Sequence, residues 1–91
     1  MEIKLFAAFR QPGTGRVEIM VGPGATVRDA LHALFERYPA LRSQVMDPET
    51  GELQPFVQVM LKGRLVRDLQ GLDTPVTNDS HLALFPPVAG G

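Results

Sequence analysis

The chain predicts an α+β domain in which one mixed sheet is laid across one main helix, and three observations lead there. Only 91 residues are available, enough for one domain and a single modest core. One amphipathic helical pattern occurs, with Val27, Ala30, Leu31, Leu34, Phe35 and Tyr38 recurring at three- and four-residue spacing. On each side of it lie apolar, β-branched runs joined by turn-forming residues, as in β-hairpins. Apolar residues make up 44% and charged residues 21% of the chain, the balance of a folding sequence and not of a disordered one.

Each element follows from its residues. Residues 3–9 are apolar and aromatic-rich, residues 17–21 are β-branched, and Gln11-Pro12-Gly13-Thr14-Gly15 between them supplies the turn of a first hairpin. Gly22-Pro23-Gly24 ends its second strand. Thr26 then occupies the place of a helix N-cap, with Asp29 three residues on in the position of a capping box. Arg28, Asp29, His32, Glu36 and Arg37 lie off the apolar stripe, and Pro39 stops the helix after about three turns. Residues 40–55 read as a polar surface excursion containing the turn Asp47-Pro48-Glu49-Thr50-Gly51-Glu52. Residues 56–61 read as a strand, Lys62-Gly63 as a tight turn and residues 64–67 as its short partner. A turn-rich connection with room for one short helical turn covers residues 68–80, and residues 81–85 form the last strand. The order is β-β-α-β-β-β. In so short a chain the first and last strands can pair centrally in parallel, with the helix in the crossover, which is the β-grasp or ubiquitin-like arrangement. Residues 1–85 form that domain and residues 86–91 a tail.

Composition excludes several functions. Nine Lys+Arg against ten Asp+Glu give a net charge of -1, which leaves no basic footprint for nucleic acid or an anionic membrane surface. No apolar stretch approaches the roughly 20 residues that span a bilayer, and the N-terminus does not read as a signal peptide, so the cytoplasm is the expected location. Cysteine is absent, which removes a disulfide scaffold, a thiolate metal site and a thiol nucleophile. The two histidines, His32 and His81, have no metal-ligand spacing, and His32 is expected to be a solvated helix residue. Gly13-Thr14-Gly15 and Gly22-Pro23-Gly24 lack the rest of a phosphate loop. The Asp47 turn has Glu52 where a calcium loop needs glycine. No metal or cofactor is expected on this chain, and no residues read as an enzyme's active site.

The C-terminus is different. Pro86-Pro87 favours an extended stem, and Gly90-Gly91 removes two Cβ atoms where a backbone would have to enter a narrow channel. The six tail residues reach about 20 Å when extended. A terminal carboxylate at Gly91, with an ordinary pKa of about 3.3–3.7, is ionised near neutral pH. It is a handle for chemistry done elsewhere.

Leu84-Phe85-Pro86-Pro87-Val88-Ala89-Gly90-Gly91 resembles the C-terminal signature of the MoaD/ThiS-type sulfur carriers, among them the small subunit of molybdopterin synthase and the small archaeal modifier proteins. Lys4-Leu5-Phe6-Ala7 and Ala25-Thr26-Val27-Arg28-Asp29-Ala30-Leu31 extend the resemblance along the whole chain, and the long residue 40–55 segment is similar to the archaeal-type branch. The resemblance implies that a ubiquitin-activating-type adenylyltransferase uses ATP and magnesium to adenylate Gly91. A sulfurtransferase then supplies the sulfur that makes a thiocarboxylate. The large subunit of molybdopterin synthase is the expected recipient. Sulfur delivery for tRNA thiolation and isopeptide formation with target lysines are the alternatives. A non-reactive binding domain of the same fold is a third reading.

Period-two alternation also predicts a docking face. If Ile3, Leu5, Val57, Val59, Leu82 and Leu84 cover the helix, then Phe6, Met60 and Phe85 emerge together on the open face of the sheet. Those three, with Pro86, Pro87, Val88, Ala89 and Gly90, are the candidate partner-binding residues; Gly91 is the reacting one.

Overall fold

Two hairpins and the chain's last strand make one five-stranded sheet, and the computed structural model describes residues 1–10 and 15–87. The strands are β1 (Glu2–Leu5), β2 (Arg16–Glu18), β3 (Gln58–Leu61), β4 (Arg64–Leu65) and β5 (His81–Phe85). They lie in the order β2-β1-β5-β3-β4. β1 and β5 run parallel at the centre, with Leu5 level with Leu84, and the other pairs are antiparallel. Parallel neighbours need a crossover, and α1 (Val27–Arg37) lies within it. The fold is the expected β-grasp.

The helix begins where the cap residues place it. The Thr26 hydroxyl accepts from the Asp29 N–H at 3.4 Å, and the Asp29 carboxylate accepts from the Thr26 N–H at 2.9 Å, so the capping box is closed from both sides. Val27, Ala30, Leu31, Leu34 and Phe35 are buried against one face of the sheet, together with Ile3, Leu5, Val57, Val59, Leu61, Leu82 and Leu84. The alternation assigned those sides correctly. His32 is exposed. Lys62 and Gly63 both have positive φ, 53° and 76°, the mirror-image turn that matches strand twist in a two-residue hairpin.

Several boundaries differ from the sequence expectation. The first strand stops at Leu5 rather than Phe9, because Ala7 turns to φ 51° and Ala7–Phe9 closes into a 3-10 turn that drops Phe9 into the core. Ladder pairing of the second strand ends at Glu18 rather than Val21, although the Ile19 N–H still reaches the Met1 carbonyl at 2.9 Å. Beyond it the Asn78 side chain takes over, bonding both the N–H and the carbonyl of Val21. Phe56 and Val57 precede β3 instead of joining it, and after β4 the chain bends into the 3-10 turn Val66–Asp68, burying Val66. The hairpin turn at residues 11–14 lies outside the described residues.

The largest correction is at residues 40–55. They are a packed segment, not a polar excursion. A 3-10 turn (Pro39–Leu41) leads into the one-turn helix α2 (Arg42–Val45), and Met46 bridges to Leu53. Leu41, Val45 and Met46 are all buried. Their spacing of four and one is helical, but Pro39 and the surrounding Arg42, Ser43 and Gln44 mask a single turn. The expected turn at residues 47–52 is present and exposed from Pro48 to Glu52, with the Asp47 carboxylate accepting from the Glu49 N–H at 2.8 Å. The connection before β5 contains the 3-10 turn Gly71–Asp73, and its buried Thr74 and Ser80 are both hydrogen-bonded to nearby backbone.

Candidate functional site

The helix covers one face of the sheet and leaves the other open. Strand register places the side chains of that open face in rows. Glu18, Glu2 and His81 lie level at the end where β1 and β5 begin. Arg16, Lys4, Ala83, Met60 and Leu65 make the middle row. Phe85 lies level with Gln58 in the last row, at the end where β5 runs out.

Charge and apolarity separate along these rows. Glu2 accepts from Arg16 of the middle row at 3.3 Å and lies 3.3 Å from His81, so the first end is polar. At the opposite end the rings of Phe6 and Phe85 stack, with centroids 4.4 Å apart and planes 12° from parallel. Phe6 remains 37% exposed. Met60, Leu65, Ala83 and Phe85 are each half-buried, forming a continuous apolar strip across β5, β3 and β4. On the β1–β2 flank, Lys4, Phe6, Ala7, Arg10, Gly15 and Arg16 line a groove of about 420 Å3 with three cationic side chains. An apolar centre with a polar rim is the composition of a protein-binding patch, and the basic flank favours acidic groups on whatever covers it.

The structure brings Phe6, Met60 and Phe85 onto this face and places the half-buried Pro86 and the exposed Pro87 at its edge. Val88, Ala89, Gly90 and Gly91 lie outside the described residues. Sequence reasoning missed Leu65. The signal was present in the two-residue turn at Lys62-Gly63, because pairing Leu61 with Arg64 sets Met60 opposite Leu65. Among the described residues no group of three or more His, Asp or Glu side chains is placed to hold a metal ion, and no helix is long and apolar enough to cross a membrane. What the patch offers is an apolar strip and a basic flank beside Pro86 and Pro87.

Residues 3–91 match the ThiS family. The chain belongs to that family of ubiquitin-like sulfur carriers. It is 37% identical over 92 residues to the small archaeal modifier protein 3 of Haloferax volcanii, covering 100% of this chain and 98% of that protein. The crystal structure of small archaeal modifier protein 1 from the same organism superposes with a TM-score of 0.85 at 40% identity, over 99% of this chain and 97% of that one. A chain of the BexX/CysO complex of Amycolatopsis orientalis superposes with a TM-score of 0.82 at 25% identity, over 99% of this chain and 98% of that one. ThiS-family membership therefore rests on the full length of the domain, including the segment that ends in Gly90-Gly91.

Proposed function

We propose that this chain is a carrier whose only reacting group is the carboxylate of Gly91, activated by adenylation and converted to a thiocarboxylate. The observation that carries the reading is positional. β5, the central strand, ends at Phe85 with its ring stacked on Phe6, and the sequence runs on through Pro86-Pro87 to Gly90-Gly91, so a protein docked on the patch is within an extended tail's length of Gly91.

The chemistry needs partners. A carboxylate oxygen of Gly91 attacks the α-phosphorus of ATP held with magnesium on a ubiquitin-activating-type adenylyltransferase, and pyrophosphate leaves. The acyl-adenylate now has AMP as its leaving group, so its carbonyl is open to sulfur. The terminal persulfide sulfur of a sulfurtransferase displaces AMP, and a thiol cleaves the resulting acyl disulfide, leaving the thiocarboxylate on Gly91 and a disulfide on the donor. The chain has no cysteine, so no thiol of its own can capture the activated carbonyl intramolecularly. The basic flank and apolar strip position the partner; catalysis resides there. The tail's resemblance to the small subunit of molybdopterin synthase supports that enzyme's large subunit as the recipient, in molybdenum cofactor biosynthesis.

A second reading has its own support: the relatives at 37% and 40% identity are named as protein modifiers. In that case the same adenylate ends as an isopeptide on target lysines. ATP–pyrophosphate exchange tests the shared first step. The full chain supports exchange by the adenylyltransferase and a chain lacking Gly90 and Gly91 does not; equal exchange from both would remove the proposal. A Gly-Gly remnant on lysines of other proteins separates the modifier from the carrier.

A further inference from the structure

Among the described residues, three other than glycine have positive φ: Ala7 at 51°, Phe56 at 68° and Lys62 at 53°. Lys62 is accounted for by its hairpin. The other two flank the root of the tail. Ala7 directly follows Phe6, whose ring stacks on Phe85, and Phe56 lies two residues before Gln58, the partner of Phe85 at the end of β5.

Phe56 is the less expected of the pair. The Val57 N–H donates to the Gln54 carbonyl at 3.2 Å, closing a four-residue turn with Pro55 second and Phe56 third. Proline followed by positive φ is the type II pattern, whose third position favours glycine or asparagine, and a bulky side chain there is strained. The ring is not compensated by burial, because Phe56 is 80% exposed. For the isolated chain the arrangement is unfavourable in backbone and in solvation alike. Strain of this kind concentrates at sites that act on something else.

We infer that Phe56 is an anchor for the ATP-dependent enzyme that activates Gly91, filling an apolar pocket beside that enzyme's tail channel. The inference rests on the proposed role of Gly91. Only four residues follow Pro87, and fully extended they span about 14 Å. An active site that holds Gly91 therefore lies close to the root of the tail, and the surface around its entrance covers Phe56 on one side as it covers Phe6 and Phe85 on the other. The activating enzyme is the occupant assigned because both fates of Gly91 pass through it.

The test is ATP–pyrophosphate exchange by the purified adenylyltransferase of the same host, with the full-length chain as varied substrate. Phe56→Ala and Phe56→Gly are expected to raise KM for the chain by about tenfold with kcat within about twofold, while Phe56→Tyr stays near the parent. Phe56→Gly is also expected to melt at or above the parent temperature, because glycine adopts positive φ freely, so its defect cannot be loss of fold. Unchanged KM in both truncations, with the parent active and dependent on Gly91, would overturn the anchor and leave the carrier reading standing. A lower melting temperature for Phe56→Gly would make the ring structural and overturn it equally. If the parent itself supports no exchange, the reading of Gly91 fails first.

Discussion

Stacking on Phe6 holds the Phe85 ring against the open face of the sheet, where it is half-buried and reachable by a partner. The contact contributes about 0.5–1.5 kcal/mol to the fold beyond the area it buries. A ring at the centre of a docking patch contributes more to binding than that, commonly about 2 kcal/mol or above. Phe85→Ala is therefore expected to weaken partner binding roughly thirtyfold by calorimetry, about 2 kcal/mol, and to lower unfolding free energy in urea by less than that. A larger loss in folding than in binding would assign the ring to the core. Phe6, Met60 and Phe85 were placed on one face by counting in twos, because each lies in or next to a strand paired on both sides. Phe56 defeated the same counting. A turn with an unfavoured residue at its third position looks, in sequence, like the start of the apolar strand that follows.

At the scale of elements, the capping box and α2 make opposite cases. Thr26 and Asp29 announce the helix start, and both reciprocal bonds are present. Thr26→Ala is expected to cost about 1 kcal/mol in urea denaturation, with adenylation of the native protein unchanged, since the cap lies on the covered side of the sheet. The segment at residues 40–55 gave no comparable signal. Three buried side chains, Leu41, Val45 and Met46, are distributed over one turn and a bridge, too short for periodicity to emerge above the polar residues between them. Their burial makes a sharp expectation. Leu41→Ala is expected to destabilise by about 2–4 kcal/mol, as for a fully buried leucine, where a surface excursion would lose less than about 0.5 kcal/mol. Thermal or chemical denaturation decides between those ranges.

For the molecule as a whole, the two faces of one sheet divide the work. The face against α1 makes the core, and the other carries the apolar strip, the basic flank and the departure of the tail. Sheet topology was legible because two hairpins around one helix leave few alternatives in 91 residues, and the central parallel pair follows from the crossover. The basic flank was not legible, because Lys4, Arg10 and Arg16 come together only when β1 and β2 pair. The tail was read from residue types alone, Pro86-Pro87 ahead of Gly90-Gly91, and the chemistry proposed for it suits a chain without cysteine. Deletion of Gly90 and Gly91, which follow the last strand in sequence, is expected to change stability by no more than about 0.5 kcal/mol in urea denaturation. The most direct measurement of the central claim is intact mass spectrometry of the full chain after incubation with its adenylyltransferase, ATP, magnesium and a sulfur donor. The expected result is one sulfur replacing one oxygen, located by fragmentation to Gly91 and absent without ATP. Sulfur gained elsewhere in the chain, or gained equally by the chain lacking Gly90 and Gly91, would contradict it.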